Sequence, residues 1–147
     1  IGARRELGDY TFSEEEIIRF AKKYDPQAFH IDPVAAKDSM FGGLIASGWH
    51  TAAVWMKMSL AARTRETVGG HRAMRSGVSP GFSDMKWLKP VRPGMTLTYS
   101  SEVVNKIELK SRPDMGLLLT LNKAHHEAGA LAMRFIGKRF VQRMPKA

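Results

Sequence analysis

Ser47-Gly48-Trp49-His50-Thr51-Ala52-Ala53-Val54-Trp55-Met56-Lys57-Met58-Ser59-Leu60-Ala61-Ala62-Arg63-Thr64 is the longest helical stretch in the sequence. Ala52, Ala53, Met56 and Leu60 recur on one helical face, and Trp49, Val54 and Trp55 widen the apolar surface beyond it. A helix apolar over so much of its circumference is expected to be buried on most sides, wrapped by another element rather than lying on one.

The C-terminal half supplies the wrapping. Gly81 to Lys89 reads as a strand, Pro90 to Gly94 as a turn, and Met95 to Lys110 as a second strand rich in Thr, Tyr and Val. Gly116 to His126 and Ala130 to Arg143 follow as two more, joined by a hairpin turn at Glu127-Ala128-Gly129. Leu117, Leu119 and Leu121 alternate with Leu118, Thr120 and Asn122, as in a half-buried strand. One long buried helix and an antiparallel meander make an α+β fold, with the sheet curled around the helix.

Upstream, a short extended piece near Asp9-Tyr10-Thr11-Phe12 precedes Ser13, an N-cap with Glu16 placed to complete a capping box. Glu14 to Lys23 then reads as a helix with Ile17, Phe20 and Ala21 on one stripe. Tyr24-Asp25-Pro26 ends it, because the residue before proline avoids the helical region. Asp32 and Pro33 form the N-cap and first position of a short helical turn, and Gly42-Gly43 interrupts the chain before the long helix.

The 147 residues suffice for one compact domain, 1–147, and composition is that of an ordinary soluble protein, with 44% hydrophobic and 25% charged residues. No apolar run reaches the ~18–20 residues of a membrane span, and Ile1 to Arg5 does not read as a secretion signal, so no membrane role is expected. The lack of cysteine removes disulfides, thiolate metal sites and cysteine nucleophiles, and fits a reducing cytoplasm. A net charge of +9 invites a polyanion. Its basic residues are scattered in short doublets such as Lys22-Lys23 and Lys138-Arg139, without a basic run or an aromatic–basic motif. A phosphate-bearing small molecule is therefore the expected partner, not nucleic acid.

Two features bear on chemistry. Asp25 and His30 lie five positions apart in a proline-broken segment, where a carboxylate and an imidazole can meet one water, the first taking its proton and the second orienting it. Eleven residues on, Phe41-Gly42-Gly43-Leu44-Ile45-Ala46-Ser47-Gly48 places glycines before the long helix. Such a helix start allows close backbone approach and presents unpaired N–H groups to an oxyanion.

This pattern resembles the MaoC-like family, which includes the (R)-specific enoyl-CoA hydratases. There an Asp, four residues, a His, one residue and an acid form the catalytic loop, matched by Asp25, His30 and Asp32. An aromatic, an Ile or Val and a His-Gly pair follow, matched by Phe41, Ile45 and Ser47-Gly48, and Phe82 to Gly94 is similar to the strand and turn beyond. Three departures stand out. Gln27 and Ala28 replace the usual Asn and Pro, Ser47 replaces the His, and Met56 falls near the place of a helix serine found in some members.

The resemblance implies a hot-dog fold and a hydro-lyase that interconverts 2-enoyl and 3-hydroxyacyl thioesters. It implies Asp25 as general base, His30 as water-orienting group and the Gly48 N–H as oxyanion donor. Coenzyme A or acyl carrier protein would carry the acyl group as part of the substrate, with no separate cofactor and no metal. Lys86, Lys89 and Arg92, or Arg72 and Arg75, would receive the coenzyme A phosphates. A homodimer or larger homo-oligomer is expected by the same resemblance. A thioesterase on the same fold and a non-catalytic acyl-thioester-binding protein stand as the alternatives.

The remaining conspicuous residues have plainer expectations. His50 reads as a packing or cap-region residue, His71 as a loop histidine, and His125-His126 as exposed at a strand end. The nine methionines fill core gaps. Asp32 and Ser47 read as N-caps, Ser47 having no base spaced to make it a nucleophile.

Overall fold

A computed structural model describes residues 2–68 and 78–142. His71, Arg72, Arg75 and Arg143 lie outside these residues. The elements run β1 (Arg4–Thr11), α1 (Glu14–Tyr24), α2 (Ala28–Ile31), α3 (Pro33–Ala36), α4 (Gly48–Val68), β2 (Gly81–Trp87), β3 (Thr96–Glu108), β4 (Met115–His126) and β5 (Leu131–Gln142). The five strands form one antiparallel sheet in the order β1-β3-β4-β5-β2, so β1 and β2 are its edges.

The sheet curls around α4, which reaches strands far apart in that order. Met58 meets β1 at Gly8, the Tyr99 hydroxyl of β3 donates to Thr51 O at 2.9 Å, and Trp55 packs edge-on against Phe135 of β5 at 4.8 Å. Gly8 sits at a bulge with φ +115°, and a side chain there would start 2.9 Å from the Met58 methyl. Lacking one, it lets strand and helix close together. Leu7, Phe12, Ile17, Leu97, Tyr99 and Met133 are fully buried in the core between helix and sheet.

Several expectations need correction. The N-terminal extended piece is a full strand that starts at Arg4 and pairs with β3 over its length. Of its first five residues only Leu7 is buried, so alternation alone could not reveal it. The second strand stops at Trp87 rather than Lys89, with Pro90 close behind.

Most of the apolar stripe assigned to α4 faces outward, Ala52 excepted. Trp49, Met56 and Leu60 are 52%, 47% and 49% exposed, whereas His50, Thr51, Val54, Ser59 and Ala62 are buried. The buried face carries polar residues, of which Thr51 is satisfied locally, its hydroxyl donating to Gly48 O at 2.6 Å, whereas His50 Nδ1 has no hydrogen-bond partner. Counting apolar residues therefore misplaced part of the buried face, although Ala52, Val54 and Trp55 do pack into the core. On β4 the inward positions are Leu118, Asn122 and Ala124, and Leu117, Leu119 and Leu121 are half-buried on the opposite face.

The helix starts follow their local signals. Ser13 Oγ accepts the Glu16 N–H at 3.2 Å, and Asp32 Oδ1 accepts those of Val34 and Ala35 at 3.0 and 3.2 Å. Only half of the expected capping box forms. The Glu16 carboxylate turns inward to Tyr10 and His50 instead of back to Ser13.

Candidate active site

Asp25 stands where α1 ends. Its N–H still donates to Ala21 O at 2.8 Å, but its backbone has left the helical region, and Pro26 prevents return. Gln27 N–H donates to Asp25 O at 2.7 Å, turning the chain so that the single turn of α2 delivers His30 beside the Asp25 side chain. His30 Nε2 lies 3.2 Å from Asp25 Oδ2.

The histidine is fixed from its other side. Nδ1 is 2.8 Å from Ile45 O, and a carbonyl only accepts, so Nδ1 carries the hydrogen. With the ring neutral, Nε2 then presents a lone pair to an ionised carboxylate. Two acceptors at this separation require a proton between them or a water that donates to both. Phe29 O in turn accepts the Ile45 N–H at 3.1 Å, and Val91 O the Ala46 N–H at 2.8 Å, so the segment leading into α4 is tied to both α2 and the turn after β2.

Both Asp25 oxygens are engaged. Gln27 Nε2 donates to Oδ1 at 2.6 Å, and the Ser47 hydroxyl donates to Oδ2 at 2.7 Å. Partial burial pushes the Asp25 carboxyl upward, but these two hydrogen bonds and, when its ring is protonated, the charge of His30 together outweigh it and hold it below the ordinary carboxylate value. The carboxylate is 17% exposed, enough to meet a ligand while the imidazole behind it is buried.

Asp25, His30 and Gly48 line one cavity of about 360 Å3, whose other walls include Phe29, Phe41, Trp49, Trp87, Val91 and Met133. Such a mostly apolar pocket with a few convergent polar groups is a typical small-molecule site. Gly48 opens α4 at its rim, and its N–H precedes the first intrahelical bond and has no partner among the described residues. The Trp87 ring lies over this glycine, where a side chain would begin 2.5 Å from Cε2, and Trp87 Nε1 donates to Gly48 O at 2.9 Å. The pocket thus combines an acid–base pair with a free helix-start amide, a set suited to moving a proton beside a developing oxyanion.

A family model described as the MaoC like domain matches residues 1–123. The chain belongs to the MaoC-like family. The crystal structure of a MaoC-like dehydratase from Rhodospirillum rubrum superposes with a TM-score of 0.84 at 31% identity, covering 99% of this chain and 94% of that one. An uncharacterized Bacillus subtilis protein, YdeM, is 30% identical over 115 residues, 78% of this chain and 75% of its own length. An (R)-hydratase from A. caviae involved in PHA biosynthesis superposes with a TM-score of 0.64 at 23% identity over 99% of this chain and 96% of that one. The curled sheet around α4 is the hot-dog fold of these proteins. The family places the chain among hydratases and dehydratases.

Within this MaoC-like domain the expected residues fall out unevenly. Asp25, His30 and Gly48 come together as described. Lys89 lines the cavity, whereas Lys86 is exposed on β2, paired with Arg134 of β5, and is not part of the wall. Arg92 donates through Nη2 to Phe41 O at 2.6 Å, clamping the Phe41–Gly43 loop, a holding role that the sequence did not suggest. His50 is a packing residue, stacked on Phe20 at 4.6 Å with Phe12 edge-on at 4.9 Å. His125 and His126 are half-buried rather than exposed.

Ser47, Thr51 and Trp87 were missed as parts of the site. Ser47 showed only as an N-cap in the place of a histidine, and its contact with Asp25 spans 22 positions. No local pattern marks such a contact. Among the described residues no group of three or more His, Asp or Glu side chains is placed to hold a metal ion, and no helix is long and apolar enough to cross a membrane.

Proposed function

We propose that this MaoC-like protein adds water reversibly to 2-enoyl thioesters, giving 3-hydroxyacyl thioesters. The observation that carries the reading is the Asp25–His30 pair, 3.2 Å apart and sharing a cavity with the free amide of Gly48. A water that donates one hydrogen to Asp25 Oδ2 and the other to His30 Nε2 turns its lone pairs toward a bound acyl chain. Asp25 takes a proton from it as the oxygen bonds to the β-carbon and returns that proton to the α-carbon, so that H and OH add across the double bond. Charge passes to the thioester oxygen, where Gly48 N–H donates; one such donor is worth roughly 2.7–4 kcal/mol in the transition state. The reverse path dehydrates a 3-hydroxyacyl thioester.

Likeness to the R. rubrum MaoC-like dehydratase supports this reaction class, and the fold shared with the A. caviae (R)-hydratase agrees with it. Coenzyme A or acyl carrier protein would present the thioester, and Lys89 is the basic residue best placed to meet a phosphate of the carrier. A homodimer covering the exposed stripe of Trp49, Met56 and Leu60 completes the reading.

The test is ultraviolet absorbance of crotonyl-CoA and longer enoyl-CoAs with the protein, beside Asp25→Asn. Loss of the conjugated thioester band with wild type but not with a folded Asp25→Asn variant is the expected result. Turnover retained by that variant removes Asp25 as the base. Release of free thiol by wild type moves the protein to the thioesterases.

A further inference from the structure

Ser47 is fully buried, and both ends of its hydroxyl are assigned by chemistry alone. The Trp49 backbone N–H, 3.3 Å from Oγ, can only donate, and the Asp25 carboxylate, 2.7 Å from Oγ, can only accept. An N-cap serine ordinarily needs only its lone pair for the helix, leaving its hydrogen unassigned. Here that hydrogen is spent on a carboxylate in another element. We propose that Ser47 is a positioning residue for the base, fixing the Asp25 carboxylate to the start of α4. The proposal rests on the reading of Asp25 as general base.

The geometry supports this in two ways. Gln27 holds Oδ1 and Ser47 holds Oδ2, so the carboxylate cannot rotate about its last bond without breaking a charge-assisted hydrogen bond. Oδ2, the oxygen that faces His30, is therefore kept facing it.

The anchor is itself held. The peptide between Gly48 and Trp49 has its N–H on Ser47 Oγ, while its carbonyl oxygen accepts from both Trp87 Nε1 at 2.9 Å and Thr51 Oγ1 at 2.6 Å. Because Ser47 also supplies the carbonyl of the peptide whose N–H belongs to Gly48, one residue sets the distance between the base and the oxyanion donor. A histidine here would bring a different reach and different donors.

Three proteins decide the matter: wild type, Ser47→Ala and Ser47→Cys, the last keeping the shape while weakening donation. The titratable groups around the Asp25 carboxyl are His30 and, on the cavity wall, Lys89, and all three proteins retain both. In each variant kcat for enoyl-CoA hydration should fall on the order of 10-fold or more with KM little changed, and the acidic limb of the pH–rate profile should move to higher pH. Wild-type kcat and limb in both folded variants, or in Ser47→Cys alone, overturn the proposal, the second outcome reducing Ser47 to packing.

A carbon-13 NMR titration of the labelled Asp25 carboxyl gives a readout without turnover. It should move to higher pH in Ser47→Ala, and an unmoved titration overturns the proposal. If wild type hydrates no enoyl-CoA, the reaction reading fails while this titration still judges the Ser47 contact.

Discussion

Trp87 occupies the space in which a Gly48 side chain would begin, and its indole N–H donates to the Gly48 carbonyl at 2.9 Å. These residues lie 39 positions apart, one at the end of β2 and the other at the first turn of α4. Glycine is needed here because an aromatic ring, and not a backbone conformation, fills the place of Cβ. Gly48→Ala should therefore cost about 1–3 kcal/mol, as for other overpacked sites. Urea unfolding of Gly48→Ala, Trp87→Ala and the double variant checks it. The double variant should lose clearly less than the two single losses added together, and simple additivity would show that the two side chains do not compete for one space.

Asp25 should stabilise the fold only while ionised. Burial works against the charge, but Gln27, Ser47 and His30 outweigh it, so its folded pKa lies below the unfolded value near ~3.9. The unfolded chain then binds more protons in that range, and the stabilisation is present above the unfolded pKa and lost as pH falls through the folded one. Asp25→Asn should be less stable than wild type near neutrality, and the difference should narrow below about pH 4. Urea titrations of both proteins at the two pH values measure it, and a gap that is constant with pH would contradict the assigned contacts.

Much of this architecture is legible in the chain because its signals are local. Ser13 and Asp32 announce their helices by residue type, Pro26 and Gly129 mark their turns, and the strands of the second half alternate. The site is half legible for the same reason. Asp25 and His30 are close in sequence, and Gly48 is marked by its position before a helix. Ser47 on Asp25 and Trp87 on Gly48 are contacts between elements, and no periodicity encodes them. The face of α4 was misjudged because His50, Thr51 and Ser59 point inward, where hydrogen bonds and ring stacking compensate their polarity.

Tyr99 gives a direct measure of how α4 is tied to the sheet. Its fully buried hydroxyl donates to Thr51 O at 2.9 Å. Tyr99→Phe removes the donor and leaves the ring in place, so a loss of about 1 kcal/mol is expected by urea unfolding. Burial, and after it the nearby Tyr10, push the Tyr99 phenol far above its ordinary value. The loss should therefore be the same from neutrality to about pH 9, below the range of an ordinary phenol. A loss that changes over this range would mean that the hydroxyl is more open to solvent than this contact allows.

His50 should make the protein sensitive to mild acid. Its ring is buried against Phe20 and Phe12, Nδ1 has no hydrogen-bond partner, and Glu16 Oε1 lies 3.8 Å from Nε2. Burial lowers its pKa, and the Glu16 carboxylate opposes that without reversing it. The unfolded chain gains the proton near pH ~6.5, before the folded one does, so more protons are bound in the unfolded state below that value. Stability must then fall as the pH drops through this window, and it recovers as the pH rises. His50→Phe keeps a flat ring between Phe20 and Phe12 and has nothing to titrate. Between about pH 7.5 and about pH 5 its urea midpoint should fall less than that of wild type. Glu16→Gln, which removes the opposing charge, should steepen the wild-type fall. If wild type and His50→Phe lose stability in parallel, the acid sensitivity belongs to another group and the buried neutral state of His50 is wrong.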